Sequence, residues 1–276
     1  MWRHVLFAVP ALAAAQRPDV RRLPTFRLQQ ASRARPVEPA KPERATDLLP
    51  GESLTYRVQV HGIESGRAAL AVGKPGREKA HRVVPLRGAI EPSPAFRAFV
   101  PFRADMVSYV DKTAGIPRRT LSTRTVDKKD VRLETRYLDG EIEVRQDGGK
   151  PARLRVRPDA GTHDLLTALW SLRSRAHPKG ERLRMRVLDG RAEHRVEIVA
   201  GGVEPLETAV GSIAAQRFDG RWRGPGRRAA RTFSLWLSTD EARLPLRLEG
   251  DTRLGLARFD LIAYTRPEPK KRSARR

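Results

Sequence analysis

Six histidines carry the most versatile chemistry in this chain: His4, His61, His81, His163, His177 and His194. A metal centre needs several ligands converging at short range. No two of these histidines lie four residues apart and no HExxH occurs, so each reads as an isolated side chain and no metal is expected. Thr162-His163-Asp164 sets a hydroxyl, an imidazole and a carboxylate side by side. A catalytic triad depends on convergence in space, and neighbours at a helix start point in different directions. Thr162 or Asp164 is better explained as a helix cap, a side-chain oxygen accepting an orphan backbone N–H. Asp240 and Glu241 follow Ser238 and Thr239. Paired carboxylates can do acid–base work across a cleft, but here they fall in a turn, where Asp and Ser satisfy local backbone N–H groups. No nucleophile elbow, Walker loop or dinucleotide fingerprint appears. The chain has no cysteine, which excludes disulfides, zinc thiolates and thiol catalysis. No catalytic residue is assigned and no cofactor is expected. A hydrolase is the weakest reading, since it would need His163 or His194 to meet a carboxylate in a pocket.

Binding residues are easier to place. Arg153, Arg155 and Arg157 alternate along one segment, and Arg182, Arg184 and Arg186 along another. Alternate residues of a strand share a face, so each trio forms a row of cations. If the two rows are adjacent they form a basic stripe. Lys and Arg total 55 against 32 Asp and Glu, a net charge of +23. Such an excess suits a polyanion: lipopolysaccharide, an acidic glycan or, less readily for an exported protein, nucleic acid. The same arginine excess, with abundant Ala, Gly and Pro, is also what a GC-rich genome writes on a neutral surface. Trp170, Trp222, Trp236, Phe233 and Phe259 are the large aromatics of the folded part. Trp236 alternates out of phase with Phe233, Leu235 and Leu237, so it faces away from them. Either its strand is buried on both sides, with the aromatics as core, which is the commoner role, or Trp236 packs on a helix beside Trp170 or faces a ligand groove. Trp170 and Trp236 are therefore the ligand-binding candidates, for a lipid or other amphiphile.

The elements that must position these residues are strands. Leu54, Tyr56, Val58 and Val60 alternate with polar residues. So do Leu183, Met185 and Val187; Val196 and Ile198; Phe233, Leu235 and Leu237; and Leu244, Leu246 and Leu248. Leu256, Phe259, Leu261 and Ala263 mark a last strand. One apolar and one wet face per strand is the antiparallel pattern. Asp139-Gly140, Asp147-Gly148-Gly149, Asp189-Gly190 and Asp219-Gly220 each suit a tight hairpin turn, and Gly201-Gly202 does similar work. One segment is helical instead. Leu165, Leu166, Leu169, Trp170 and Leu172 recur at helical spacing, with Arg173 and Arg175 at the end the helix dipole favours. The fold class expected is all-β and mainly antiparallel: a strongly curved sheet, partly open β-barrel or clam, with one short helix packed across it.

The first 15 residues read as a signal peptide. Met1-Trp-Arg-His4 is a short positive start, Val5 to Ala15 is uncharged, and Ala13-Ala-Ala15 supplies small residues for cleavage near Ala15. The run is too short to span a bilayer as a stable helix, and no other stretch is apolar enough to do so. Residues 16–46, rich in Pro and Arg, are expected to be a disordered linker. Residues 47–265 are expected to form a single β domain, and 266–276 a basic disordered tail. Export places the mature protein in the periplasm or outside the cell.

Three landmarks resemble one family. Gly51-Glu-Ser-Leu-Thr-Tyr56, followed by Gly62-Ile63 and Gly66-Arg-Ala-Ala-Leu70, resembles a G-E-x-L-x-Y, G-I-x-x-G-x-A-x-L opening. Asp164-Leu-Leu-Thr-Ala-Leu-Trp-Ser-Leu-Arg173 is similar to a D-x-x-S-A-L-Y-Y-L-R helix, with Thr167 for the usual Ser and Trp170 and Ser171 for the tyrosines. Leu235-Trp-Leu-Ser-Thr-Asp240 with Leu244-Pro245 resembles W-x-S-x-D-x-x-x-x-P. The family is the exported bacterial one catalogued as domain of unknown function 3108. The resemblance implies an envelope-associated β protein and supplies no catalytic residue. The function expected is non-enzymatic binding of an apolar or amphiphilic ligand, or a role in envelope assembly. A polyanion-binding module is the alternative.

Overall fold

Alternating side chains become paired strands along almost the whole of the computed structural model, which describes residues 48–99, 102–126, 129–138, 140–155, 162–209, 211–225, 230–252 and 255–267. The expected leader, the 16–46 linker, Arg157 and all but the first two residues of the basic tail lie outside the described residues. The first half of the chain gives β1 (Ser53–Val60), β2 (Ile63–Val72), β3 (Gly76–Glu78), β4 (His81–Pro92), β5 (Ala104–Asp111), β6 (Pro117–Val126), β7 (Lys129–Leu138), β8 (Glu141–Gln146) and β9 (Ala152–Arg155). The second half gives β10 (Thr162–His163), β11 (Arg182–Asp189), β12 (Ala192–Thr208), β13 (Gly211–Arg223), β14 (Arg231–Ser238), β15 (Pro245–Thr252) and β16 (Gly255–Thr265). Helix α1 (Pro94–Phe99) joins β4 to β5, and α2 (Leu165–Arg173) follows β10.

All the strands belong to one sheet. It runs from β10 and β11 in order to β16, crosses to β1 and β2, and continues from β4 to β9, with β3 beside β4. First and last strands are thus neighbours: Val58 lies opposite Phe259 and Tyr56 opposite Leu261. Every pairing is antiparallel except the short contact of β10 with β11. The two ends of the sheet, β9 and β10, are not hydrogen-bonded to each other. Side chains bridge them instead. Leu188 of β11 packs with Leu133, Ile142 and Val144 of β7 and β8, and the Arg191 guanidinium donates to the Lys150 carbonyl at 3.3 Å. The sheet is strongly curved and incompletely closed, as the alternation predicts.

Two of the expected turns are not turns. Gly140, Gly148 and Gly190 do occupy the positive-φ positions that hairpins require. Gly220, however, sits inside β13 opposite Phe233. The Phe233 ring lies across it, so close that a Cβ at Gly220 would be 2.1 Å from the ring. Glycine in a strand commonly marks such an approach. Gly201 and Gly202 fall within β12, where the register with β13 slips between Ala200 and Val203. That bulge lets a strand of 17 residues bend rather than end.

Gly66 has a stricter reason to be glycine. Ser65 is the extra residue where the β1–β2 register slips, and its hydroxyl donates to the Val58 carbonyl at 3.2 Å. The next residue meets β4 face on: a Cβ at Gly66 would lie 2.2 Å from the Glu91 carbonyl oxygen and 2.8 Å from the Pro92 Cα. Backbone cannot swing aside as a side-chain tip can. Gly66→Ala is expected to lower unfolding stability by about 2–3 kcal/mol, the upper part of the range for overpacking. A urea midpoint within error of the parent would contradict that close contact.

Candidate ligand cavity

Helix α2 lies in the concave face of the sheet, and its sequence fixes how it starts. The Asp164 carboxylate accepts from the Thr167 N–H at 2.8 Å, while the Asp164 N–H donates to the Thr167 hydroxyl at 3.0 Å. This reciprocal box satisfies two orphan donors. The second carboxylate oxygen accepts from the Thr120 hydroxyl at 2.7 Å, tying the helix start to β6. Asp164 is thus committed twice, and the Thr162-His163-Asp164 run forms no triad. Thr162 and His163 lie in β10 opposite Arg186 and Val187 of β11, and burial lowers the His163 imidazole pKa, which the Asp164 charge partly offsets.

The other end of α2 is held by a buried charge. Arg173 is 0% exposed and Glu52 2%. The guanidinium donates to both Glu52 oxygens, at 2.9 and 3.3 Å. It also donates to the carbonyls of Arg243 at 3.1 Å and Ala242 at 3.0 Å. The same loop is shaped by Ser238, which donates to Asp240 at 2.6 Å and accepts from the Leu244 N–H at 2.7 Å. Asp240 therefore serves the turn, as its neighbours suggest. Tyr56 donates to the Pro245 carbonyl at 2.9 Å. Burial pushes its phenol far above the ordinary value, with Arg173 opposing and Glu52 adding to the rise. Tyr264 is pushed up to about 12, by burial first and then by Glu52. Glu52 and Tyr56 of the first landmark, Arg173 of the second and the 238–245 turn of the third meet here in one lock.

Between the helix and the sheet lies a hollow of about 230 Å³. Leu165 and Leu169 of α2 line one side, with Leu70, Ile90, Met185 and Trp222 among the residues opposite. Its walls are almost wholly apolar because each contributing strand turns its apolar alternation inward. Gly88 and Gly250 also line it. At Gly88 a Cβ would lie 2.8 Å from Leu166, so glycine there lets the helix sit close to β4. Among the described residues no cluster of three or more His, Asp or Glu could hold a metal.

Neither tryptophan singled out from the sequence lines this hollow, and the two are not neighbours. Trp170 packs with Val84, Leu86, Met106 and Val110, and the Arg173 guanidinium sits 4.2 Å over its ring. Trp236 is on the face of β14 opposite to Leu235 and Leu237, and it too is buried. Its indole N–H donates to Glu204 at 2.6 Å, and Arg217 and Arg247 lie 5.2 and 6.0 Å over the ring. It packs into an apolar cluster with Leu206, Ala215, Leu244 and Leu246 rather than on the helix, and the arginines across the ladder on either side cover its ring, as cations favour a ring face. Trp222 is the tryptophan that reaches the hollow. Its place on the same face as Val196 and Arg231 follows from period-two alternation through β13, which the mistaken turn at Asp219-Gly220 hides.

The two arginine rows do not form one ladder. β9 is one end of the sheet and β11 lies one strand in from the other. Arg153 lies 3.6 Å from both Glu141 and Glu143, and Arg155 is placed by its backbone opposite Glu141. Arg184 lies 3.8 Å from Glu197 and Arg186 3.4 Å from Glu193. Arg182 stands opposite Val199.

The geometry defines an incompletely closed, barrel-like β protein that encloses an apolar hollow beside a locked helix. The chain belongs to the family described as "Protein of unknown function (DUF3108)", whose model matches residues 55–262. No curated protein matches it. Among solved structures it resembles a β-barrel-like protein of domain of unknown function DUF1849 from Brucella abortus, at 11% identity and a TM-score of 0.53, over 80% of this chain and 99% of that one. That likeness is one of fold. An exported protein with a YmcC-like fold from Bacteroides fragilis and a lipoprotein from Parabacteroides distasonis, so described, align over the same shares at 9% identity, with TM-scores of 0.35 and 0.34. No helix among the described residues is long and apolar enough to cross a membrane.

Proposed function

We propose that this protein is exported to the cell envelope and binds, without chemistry, the hydrocarbon part of an apolar or amphiphilic ligand in the hollow beneath α2. The carrying observation is the hollow itself: 230 Å³ lined by leucine, isoleucine, methionine and aromatic side chains. An apolar cavity of about 150 Å³ already holds benzene. At roughly 30 Å³ per small group, the share of a water in liquid, this one takes about eight methylene-sized groups. Burying them yields roughly 6 kcal/mol at about 0.8 kcal/mol per methylene. Association entropy opposes this, so binding of a short chain falls in the micromolar to millimolar range. The polyanion alternative loses support from the acids that stand against Arg153, Arg184 and Arg186.

Delipidated protein is expected to take up a fluorescent fatty acid saturably, with one site per chain, and to release it to unlabelled fatty acid. A linear, non-competable signal would refute the reading.

A further inference from the structure

Sixteen of the described arginines stand within 4.0 Å of an acidic side chain. Others without such a pair are scattered over the sheet, but four lie together. Arg195, Arg221, Arg223 and Arg231 have no acidic partner among the described residues, and all lie at the end of the sheet where β13 stops and β14 begins. Arg186, Arg195 and Arg223 lie directly opposite one another on three successive strands. Like charges in that arrangement repel, and only Arg186 has an acid close by, Glu193 at 3.4 Å. Arg231 is on the other face, opposite Trp222 and two residues from Phe233. Those two aromatics line the hollow. Arg223 ends β13 and Arg231 begins β14, so the cations of both faces converge where the ladder stops.

This end of the hollow differs from the other. At the opposite end Tyr56 and Pro245 line it beside the Glu52–Arg173 lock, whose cation is already neutralised. An apolar chain entering the hollow therefore has one end against a satisfied lock and the other beside unneutralised arginines.

On the reading of the hollow as a ligand cavity, we propose that its ligand is a single-chain anionic amphiphile, with its hydrocarbon chain beneath α2 and its headgroup between Arg223 and Arg231, where the β13–β14 ladder stops. A volume of about 230 Å³ admits one short chain and not two. The anion offsets the like charge that Arg223 shares with Arg195 and accepts charge-assisted hydrogen bonds, the stronger class.

Three eight-carbon probes separate tail from headgroup: octanoate, octan-1-ol and octylammonium, each titrated calorimetrically into delipidated protein. At low salt octanoate is expected to bind at least about tenfold more tightly than octan-1-ol, as one hydrogen bond to a charged group allows, and octylammonium most weakly. The advantage of octanoate shrinks at high salt, where screening shortens the reach of surface charge. Arg223→Gln combined with Arg231→Gln brings octanoate to the level of octan-1-ol and leaves octan-1-ol unchanged. Octanoate binding no tighter than octan-1-ol overturns the headgroup assignment and leaves the hollow standing as an apolar site. Saturable binding of none of the three overturns both.

Discussion

Arg173→Met is expected to lower unfolding stability by about 3–5 kcal/mol, the cost of leaving one buried charge without its partner. Arg173 and Glu52 are both buried, and removing the guanidinium strips Glu52 of two hydrogen bonds and the 242–243 carbonyls of two donors. The loss is read from urea unfolding, as a fall in midpoint with the slope unchanged. Glu52→Gln combined with Arg173→Met is expected to be more stable than Arg173→Met alone, because the orphaned carboxylate is gone. The two carbonyls still lack donors, so the double variant does not return to the parent. A double variant no better than the single one would mean that the guanidinium acts through the loop carbonyls and not through Glu52.

That lock gives three landmarks far apart in the chain one shared structural role. Glu52 opens β1, Arg173 ends α2, and the turn from Ser238 to Pro245 joins β14 to β15. None supplies a free nucleophile or base: Glu52 neutralises Arg173, Asp164 caps a helix, and Ser238 is bonded on both sides. Their joint effect is to hold one helix at a set depth in a curved sheet, and the depth of that helix determines how much of the concave face stays empty.

Strands β11 and β14 and the first part of β12 were legible because they keep strict alternation: Leu183, Met185 and Val187 point inward while Arg182, Arg184 and Arg186 point out. Helix α2 was legible from its spacing and its cap. The strands from β5 to β7 were harder to read because their inner face carries Ser108, Thr120, Ser122 and Thr135, all buried. Hydroxyls there blur the apolar signal that alternation relies on. Helix α1 was missed although Ser93-Pro94 is a start signal, with the Ser93 hydroxyl accepting the Phe96 N–H at 3.2 Å and proline at the first helical position. Six residues are too few to show a period. The site was legible only as a class. Alternation says which side chains face inward, but how far a helix stands from the sheet depends on glycines such as Gly88, and a lone glycine in a strand reads equally as a turn. That ambiguity placed a hairpin at Gly220 and drew attention to Trp170 and Trp236 instead of Trp222.

Ala257→Phe is expected to abolish uptake of the eight-carbon probes while leaving the fold intact. Ala257 lies on the inner face of β16 and lines the hollow, directly opposite Gly250, which has no side chain to meet a ring. A phenyl group projecting there displaces about four methylene-sized groups of ligand. At about 0.8 kcal/mol each that is roughly 3 kcal/mol, more than a hundredfold in affinity for octan-1-ol. The filled hollow gains apolar contacts of its own, so the urea midpoint is expected to stay level or rise. This pairing of outcomes sets a binding cavity apart from a core that is merely loose. In a loose core the ring would leave probe uptake unchanged, because the probe would be sitting elsewhere. In a tight core the same ring would overpack and destabilise the protein by about 1–3 kcal/mol. Lost uptake at undiminished stability is the result that only an open, ligand-sized hollow beneath α2 produces.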